Sequence, residues 1–270
     1  MTYNKHKAED YWNKRVEKVD EIRAVLSYGL PEYVNKAYHF WETELMMRSL
    51  GDIKGKSVLD VACGVGRLSK ILVEAGSSLT CLDNSQAMLD RTINKIKAIN
   101  KIDQVKMVKA SADNMPVPDN CFDAVVCFGL LEHLPTDTRQ AALSEIIRVA
   151  KDESTILLVI YNRMNLFFEN IERYKMQEQQ DDGYFVMPMD LSSIRSLLTN
   201  QGFVVEEIGN NFLYSFVRQA VERMTDVQID QSILEKLLKF SVKFDLENNG
   251  DRNLAEVMAD HFLIKGVRKK

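Results

Sequence analysis

Apolar positions along this chain follow two habits: short unbroken runs, and recurrences every three or four residues. The runs cover residues 58–61, 78–83, 122–128, 155–160, 203–208 and 261–267. Residues 58–61 read as a strand buried on both faces, 122–128 and 155–160 as buried strands, 78–83, 203–208 and 261–267 as further strands, and residues 105–109 alternate as another. Between them Leu68, Ile71, Leu72 and Ala75 recur at helical spacing, as do Met88, Leu89, Ile93, Ile96 and Ile99. Two later sets, Ala141, Leu143, Ile146, Ile147 and Ala150, then Leu191, Ile194, Leu197 and Leu198, do the same. Asn84-Ser85 and Asp190 stand where helix caps belong, and Gly202 where a helix ends. Strands alternating with helices predict an α/β fold, a parallel sheet covered on both faces.

Ahead of the first strand, Trp12, Val16, Val19, Ile22 and Leu26 predict one amphipathic helix over residues 8–28, stopped by Gly29. Pro31 is placed to start a second, carrying Val34, Tyr38, Trp41 and Leu45. This pair is rich in aromatics (Tyr11, Trp12, Tyr28, Tyr33, Tyr38, Phe40, Trp41), which suits either a fixed layer on the sheet or a lid over a ligand. The expected organisation is an N-terminal helical lid over residues 1–50 and one domain over 51–270. Segments 162–188 and 211–250 exceed a minimal fold. The first holds Met164, Leu166, Phe167, Phe168, Tyr174, Tyr184 and Phe185. The second holds helical patterns at Phe212, Phe216, Ala220 and Met224, then Ile233, Leu237, Leu238 and Val242. Insertions overhanging strand ends suit a substrate cap, and equally oligomer contacts.

The chemistry centres on Cys63-Gly64-Val65-Gly66, a glycine-bearing turn between the first strand and its helix. Such a turn lets a ligand approach the backbone, and the helix N-terminus beyond favours an anionic group. A dinucleotide site wants a third glycine where this chain has Ser69, and Asp60 inside the strand would repel a pyrophosphate. A ligand carrying both ammonium and carboxylate fits better, as the methionine part of S-adenosylmethionine does. Asp83, about twenty residues on, can accept from both ribose hydroxyls. In the loop 112–116, Asp113 is placed to accept from an adenine amino group, with Met88 or Met115 over the ring; alone it reads as a turn-former.

The run V-L-D-V-A-C-G-V-G-R-L, residues 58–68, resembles the first motif of the class I S-adenosylmethionine-dependent methyltransferases. F-D-A-V-V-C-F-G-L-L-E-H-L, residues 122–134, resembles the fourth-strand segment of their small-molecule members. The resemblance covers roughly residues 52–210 plus the last strand. It implies a Rossmann-like methyltransferase fold: a seven-stranded, mostly parallel sheet flanked by helices, the last strand antiparallel between its neighbours. An N-terminal helical lid and inserted helices before the last strand would be added. It implies S-adenosylmethionine as cofactor, S-adenosylhomocysteine as product, and a small-molecule acceptor methylated on O or N. Asp60, Ala62, Cys63, Gly64, Gly66 and Arg67 would meet the methionine part, with Tyr11 reaching its carboxylate. Asp83 and Asn84 would hold the ribose. Met88, Ala112, Asp113 and Asn114 would meet the adenine, and Phe128 and Gly129 would lie near the reacting methyl. His133, beside Glu132, is the candidate base; its alternative is an imidazole against the cofactor edge or the following helix. His39 is an outside candidate, and His6 and His261 read as structural or exposed.

Composition narrows the partners. A chain of 270 residues with 46% hydrophobic and 27% charged residues suits a globular core, and a net charge of −4 leaves no footprint for nucleic acid. Arg268-Lys269-Lys270 is too short to be one. The region after the fourth strand, Phe128-Gly129-Leu130-Leu131, lacks the N-P-P-Y pattern that base methylation favours. Cys63, Cys81, Cys121 and Cys127 show no C-x-x-C spacing and read as buried reduced thiols, with no metal. No apolar signal segment or membrane-length run occurs, so a cytoplasmic protein is expected; a homodimer is the assembly considered. The competing classes are a protein or nucleic-acid methyltransferase, a non-catalytic cofactor-binding subunit and a nicotinamide oxidoreductase.

Overall fold

The computed structural model describes residues 3–19, 21–26, 30–165, 179–223, 230–248 and 252–268. Its centre is β1 (Ser57–Val61), which is flanked on both edges and buried from Val58 onward. One neighbour is β2 (Ser78–Asp83), followed by β3 (Val105–Lys109); the other is β4 (Phe122–Cys127), followed by β5 (Ala150–Tyr161). All of these pair in parallel. The sheet closes with β7 (His261–Arg268) inserted antiparallel between β5 and β6 (Phe203–Asn210), giving the order β3-β2-β1-β4-β5-β7-β6. Strand order reverses at β1, so a crevice opens at the carboxyl ends of β1 and β4, where open α/β sheets bind ligands.

Side-chain alternation along β1 sorts the two faces. Leu59 and Val61 enter the core beneath α6 (Thr136–Val149) and α7 (Leu191–Asn200), beside Leu143, Ile146 and Leu198. Val58 enters the opposite core, under α3 (Glu32–Leu50), α4 (Arg67–Glu74) and α5 (Gln86–Ala98). Asp60 therefore points to that second face, toward α4. Both expected caps form: Ser85 accepts from Met88 N and Asp190 from Ser192 N.

The N-terminal region departs from the single helix expected over 8–28. It forms α1 (Lys5–Lys18) and α2 (Glu21–Val25), broken where Val19 is extended at φ −138° and ψ 150°. Arg15 explains how the second piece folds back: its guanidinium donates to the carbonyls of Arg23 (3.4 Å) and Leu26 (2.5 Å), tying α2 against α1. Tyr28 and Gly29 lie outside the described residues. Pro31 does precede α3, and Trp41 and Met46 on α3 are wholly buried, so α3 is a fixed layer of the core. Only α1 and α2 remain as a cover.

Of the two insertions, residues 166–178, with Leu166, Phe167, Phe168 and Tyr174, lie outside the described residues, as does Met224. The second insertion forms α8 (Phe212–Arg223) and α9 (Gln231–Glu247), with Tyr214, Leu238 and Val242 joining the core around Trp41. A short α10 (Arg252–Met258), unexpected from the sequence, precedes β7. Cys63, Cys81 and Cys127 are buried as expected, whereas Cys121 is half-buried near the surface, its thiol 3.2 Å from the Pro118 carbonyl. Among the described residues, no helix is long and apolar enough to cross a membrane.

Candidate active site

The crevice holds a narrow cleft of about 70 Å³ lined by Asp60, Ala62, Cys63, Gly64, Arg67, Asp83, Asn84, Met88, Phe128, Gly129 and His133. Eleven of the sixteen residues expected from the sequence are thus brought together. Asp60 is buried and accepts from Ser69 Oγ at 2.5 Å; burial pushes its pKa up to about 6. Asp83 accepts from Gly64 N and from Ser85 N, each at 2.9 Å, so it ties the glycine turn to the start of α5. Burial likewise pushes the Asp83 pKa up to about 6. Gly66 stands behind the cleft rather than in it. Its φ is +71°, and a Cβ there would meet Thr92 Cγ2 at 2.8 Å, so glycine is required for both reasons. Thr92, which the sequence did not single out, donates to Gly64 O at 2.7 Å and fixes the turn from below.

These two carboxylates suit S-adenosylmethionine. A carboxylate can accept about four hydrogen bonds, and the bonds just described leave lone pairs on both groups. Each is held above its ordinary pKa by burial, so an arriving ammonium or hydroxyl donor is stabilised there. The volume does not yet suit it. Trp12 of α1 and Val25 of α2 roof the cleft, and Val25 Cγ1 lies only 2.8 Å from where a Cβ on Gly64 would stand. A cleft of about 70 Å³ falls short of the roughly 300–1,000 Å³ of small-molecule sites.

Four expected residues are placed elsewhere, besides Gly66. Ala112 is buried in the core beside Met115. Asp113 pairs with Lys5 of α1 and accepts from Ser111; burial alone would raise its pKa, but these bonds outweigh it and hold the carboxyl below its usual range. Asn114, in the same loop, does not line the cleft. Three further contacts strap α1 down: Glu9 to Lys109 at 3.3 Å, Asn13 to Ser85 Oγ at 2.5 Å, and the Val16 carbonyl to Arg91 at 3.1 Å. Tyr11 faces a neighbouring cavity instead of the methionine end, its hydroxyl accepting from Arg15 at 2.7 Å.

That neighbouring cavity, of about 580 Å³, shares Trp12, Val25, Arg67, Gly129 and His133 with the cleft. Two aromatic walls face it. On one side Trp12 meets His133 edge-on at 5.1 Å, and Tyr184 lies 5.5 Å from that imidazole. On the other, Tyr161 stacks on His261 at 4.9 Å, and Tyr38 lies 5.0 Å from His261 and 5.9 Å from Tyr214. His261, read from the sequence as structural or exposed, is instead a cavity wall; burial lowers its pKa to about 4, keeping it neutral. His39 lies outside both cavities, against Arg67 at 3.1 Å.

Charges in the cavity are mostly matched. Arg67 pairs with Glu42 at 2.6 Å, both nearly buried, and Arg218 reaches Asp260 through two nitrogens at 2.6 and 3.0 Å. Glu132 is the exception. It is 6% exposed, its Oε2 has no hydrogen-bond partner among the described residues, and burial pushes its pKa up to about 7. His133 contacts the Phe185 carbonyl through Nδ1 at 2.7 Å, which fixes the proton on Nδ1 and leaves Nε2 with its lone pair. Burial lowers the His133 pKa to about 4, which makes it a weak proton acceptor near neutral pH.

Comparison with known proteins adds to this geometry. Residues 58–153 match the family described as a methyltransferase domain. The ubiquinone/menaquinone biosynthesis C-methyltransferase UbiE of Shewanella piezotolerans is 30% identical over 151 residues, 54% of this chain and 55% of that protein. The ubiquinone biosynthesis O-methyltransferase of Dechloromonas aromatica is 29% identical over 150 residues, 50% of this chain and 62% of that protein. The chain thus spans little more than half the length of the curated relatives it matches. The magnesium protoporphyrin IX methyltransferase of Synechocystis PCC 6803, with bound SAH, superposes with a TM-score of 0.63 over 98% of this chain and 100% of that one. At 16% identity that likeness speaks for the fold, which is Rossmann-like.

Proposed function

From the premise that residues 58–153 are a class I S-adenosylmethionine-dependent methyltransferase domain, we propose that the chain methylates an O or N nucleophile of a small molecule. The observation that carries this reading is the shared wall: Trp12, Val25, Arg67, Gly129 and His133 line both the cleft and the 580 Å³ cavity. A ligand held at Asp60 and Asp83 therefore has a second, separately lined chamber next to it.

The cofactor supplies an activated methyl on a sulfonium. The chain's own residues hold and align. Asp60 takes the ammonium of the methionine part, Asp83 the ribose hydroxyls, and the glycine turn lets the backbone come close. Asp113, committed to Lys5, would reach an adenine only if that pair opened. The aromatic walls exclude water and hold the acceptor in line, and alignment of this kind supplies up to roughly 7–11 kcal/mol of a barrier. His133, its ring fixed by the Phe185 carbonyl, acts as an orienting wall more than as a base. α1 and α2 act as a cover that opens for cofactor entry and closes over the reaction.

The test is transfer of tritiated methyl from S-adenosylmethionine in a cell extract, followed by separation by size. Label in the low-molecular-mass fraction supports the reading. Label confined to protein or nucleic acid overturns it in favour of a macromolecular acceptor. Cofactor binding without any transfer would point to a non-catalytic subunit.

A further inference from the structure

The acceptor cavity combines three features that, taken together, select one kind of guest. Among the described residues its walls are aromatic and hydroxyl-bearing, with Val25, Leu26, Leu30 and Val186 as aliphatic lining. The faces of Trp and Tyr rings attract cations through their quadrupole. Next, two of its three arginines are answered from within: Arg67 by Glu42 and Arg218 by Asp260. Arg15 donates to the Tyr11 hydroxyl and to two backbone carbonyls, and its guanidinium lies over the Tyr11 and Trp12 rings. Finally, Glu132 brings a buried carboxylate oxygen with no partner.

The surroundings of Glu132 answer it only in part: its own backbone N–H bonds the carboxylate and Arg139 attracts it, while Oε2 is left without a hydrogen bond among the described residues. Arg139 of α6 attracts it, but the Arg139 guanidinium donates its hydrogen bonds to the carbonyls of Leu131, Leu134 and Met187 at 2.7–3.0 Å. From α3, Tyr38 and Glu42 face it; from β4, Cys127 does. Next to it in the chain, His133 is neutral. A buried carboxylate costs folding free energy unless it is paired, and Glu132 is among the residues that line the cavity, so a cation held there would answer it.

Resting on the methyltransferase reading above, we propose that the acceptor is a small amine bound as its ammonium between the two aromatic walls, with Glu132 as the residue that receives its charge and then its proton. In the step, an ammonium N–H proton passes to the Glu132 carboxylate, freeing the nitrogen lone pair. That pair forms the N–CH₃ bond while the S–CH₃ bond of the sulfonium breaks, its electrons remaining on sulfur. The proton held on Glu132 leaves to water as product departs.

The experiment uses the full chain and its Glu132→Gln variant, with two readouts. The first is binding of tetramethylammonium, a non-reactive cation, by calorimetry in the presence of S-adenosylhomocysteine, with tert-butanol as the neutral counterpart. The expected result is that tetramethylammonium binds, tert-butanol does not, and Glu132→Gln weakens the cation at least tenfold while cofactor affinity stays within twofold. The second is transfer of tritiated methyl to a panel of small primary and secondary amines, against matched alcohols, phenols and carboxylic acids. Turnover confined to amines, and lost at least a hundredfold in Glu132→Gln, supports the proposal. Turnover of phenols, alcohols or acids but no amine overturns the amine assignment and leaves the small-molecule reading standing. Cation binding that is equal in the two proteins overturns the role of Glu132, whatever the acceptor. If the variant proves unfolded by thermal melting, Glu132→Asp takes its place; a carboxylate one methylene shorter that keeps cation binding but slows transfer supports the assignment, and loss of neither overturns it.

Discussion

Lys5 at the start of α1 pairs with Asp113 in the loop after β3, across 108 residues of chain. The helix that roofs the cofactor cleft is therefore tied to the very loop expected to meet an adenine. Exposed pairs of this kind contribute about 1 kcal/mol or less, so the strap is weak enough to open. Lys5→Ala should raise amide exchange of residues 5–18 by up to about fivefold, and adding S-adenosylmethionine to the parent protein, which displaces α1 and α2 outward, should raise it as well. Exchange that is the same with and without cofactor would make α1 a fixed layer rather than a cover.

Asp83 both binds and builds: it anchors Gly64 N and Ser85 N while facing the cleft. Asp83→Ala should weaken cofactor binding by about 1.5–3 kcal/mol, the range for hydrogen bonds to a charged group. Calorimetry on the folded variant checks it, and unchanged affinity would remove Asp83 from the ribose site.

Gly66→Ala places a side chain at φ +71° and against Thr92. A loss of about 1–3 kcal/mol is expected from the strained backbone and the contact. Thr92→Ser in the same chain removes Cγ2 but leaves Oγ1 at 2.9 Å and the positive φ, so it should restore only part of the melting temperature. Full restoration would mean that backbone strain contributes nothing.

Glu132 gives a pH signature. Its pKa is raised from 4.5 to about 7 by burial, so the folded chain keeps a proton that the unfolded chain loses above about pH 4.5. Stability falls as pH rises between those values and stays lower above them. Glu132→Gln removes that penalty. The variant should match the parent near pH 4 and exceed it by up to about 3 kcal/mol near pH 8. Chemical denaturation at both pH values checks it; a variant less stable at high pH would show that the carboxylate is paired.

How far the sequence carried follows from how local each signal is. The strands were legible because buried parallel strands are unbroken apolar runs, and β2 and β3 fall at the expected residues. Asp60, Gly64 and Asp83 were legible because a glycine turn and strand-end acids are set by near neighbours. The break between α1 and α2 was not, since Val19 and Ile22 keep helical spacing through it; what bends the chain is Arg15 reaching the Leu26 carbonyl. The pairing of Asp113 with Lys5 was not legible, because Lys5 lies far away in sequence. The 580 Å³ cavity was legible only in part: Tyr11, Trp12, Tyr38 and Tyr184 stood out as aromatics, but Tyr161, Tyr214 and His261 come from β5, α8 and β7 and meet them only in the fold. Glu132 was visible beside His133, but an oxygen without a partner is a property of the packed structure.

In the proposed reaction a cofactor held at Asp60 and Asp83 presents its sulfur to the aromatic cavity. A crystal structure of the chain with S-adenosylhomocysteine tests it most directly. The account expects the ribose hydroxyls on Asp83, the amino group at Asp60, α1 and α2 displaced outward from Gly64, and the sulfur facing Gly129 and His133 with the cavity open beyond. A ribose away from Asp83, or a sulfur walled off from Glu132 and the two aromatic faces, would contradict it.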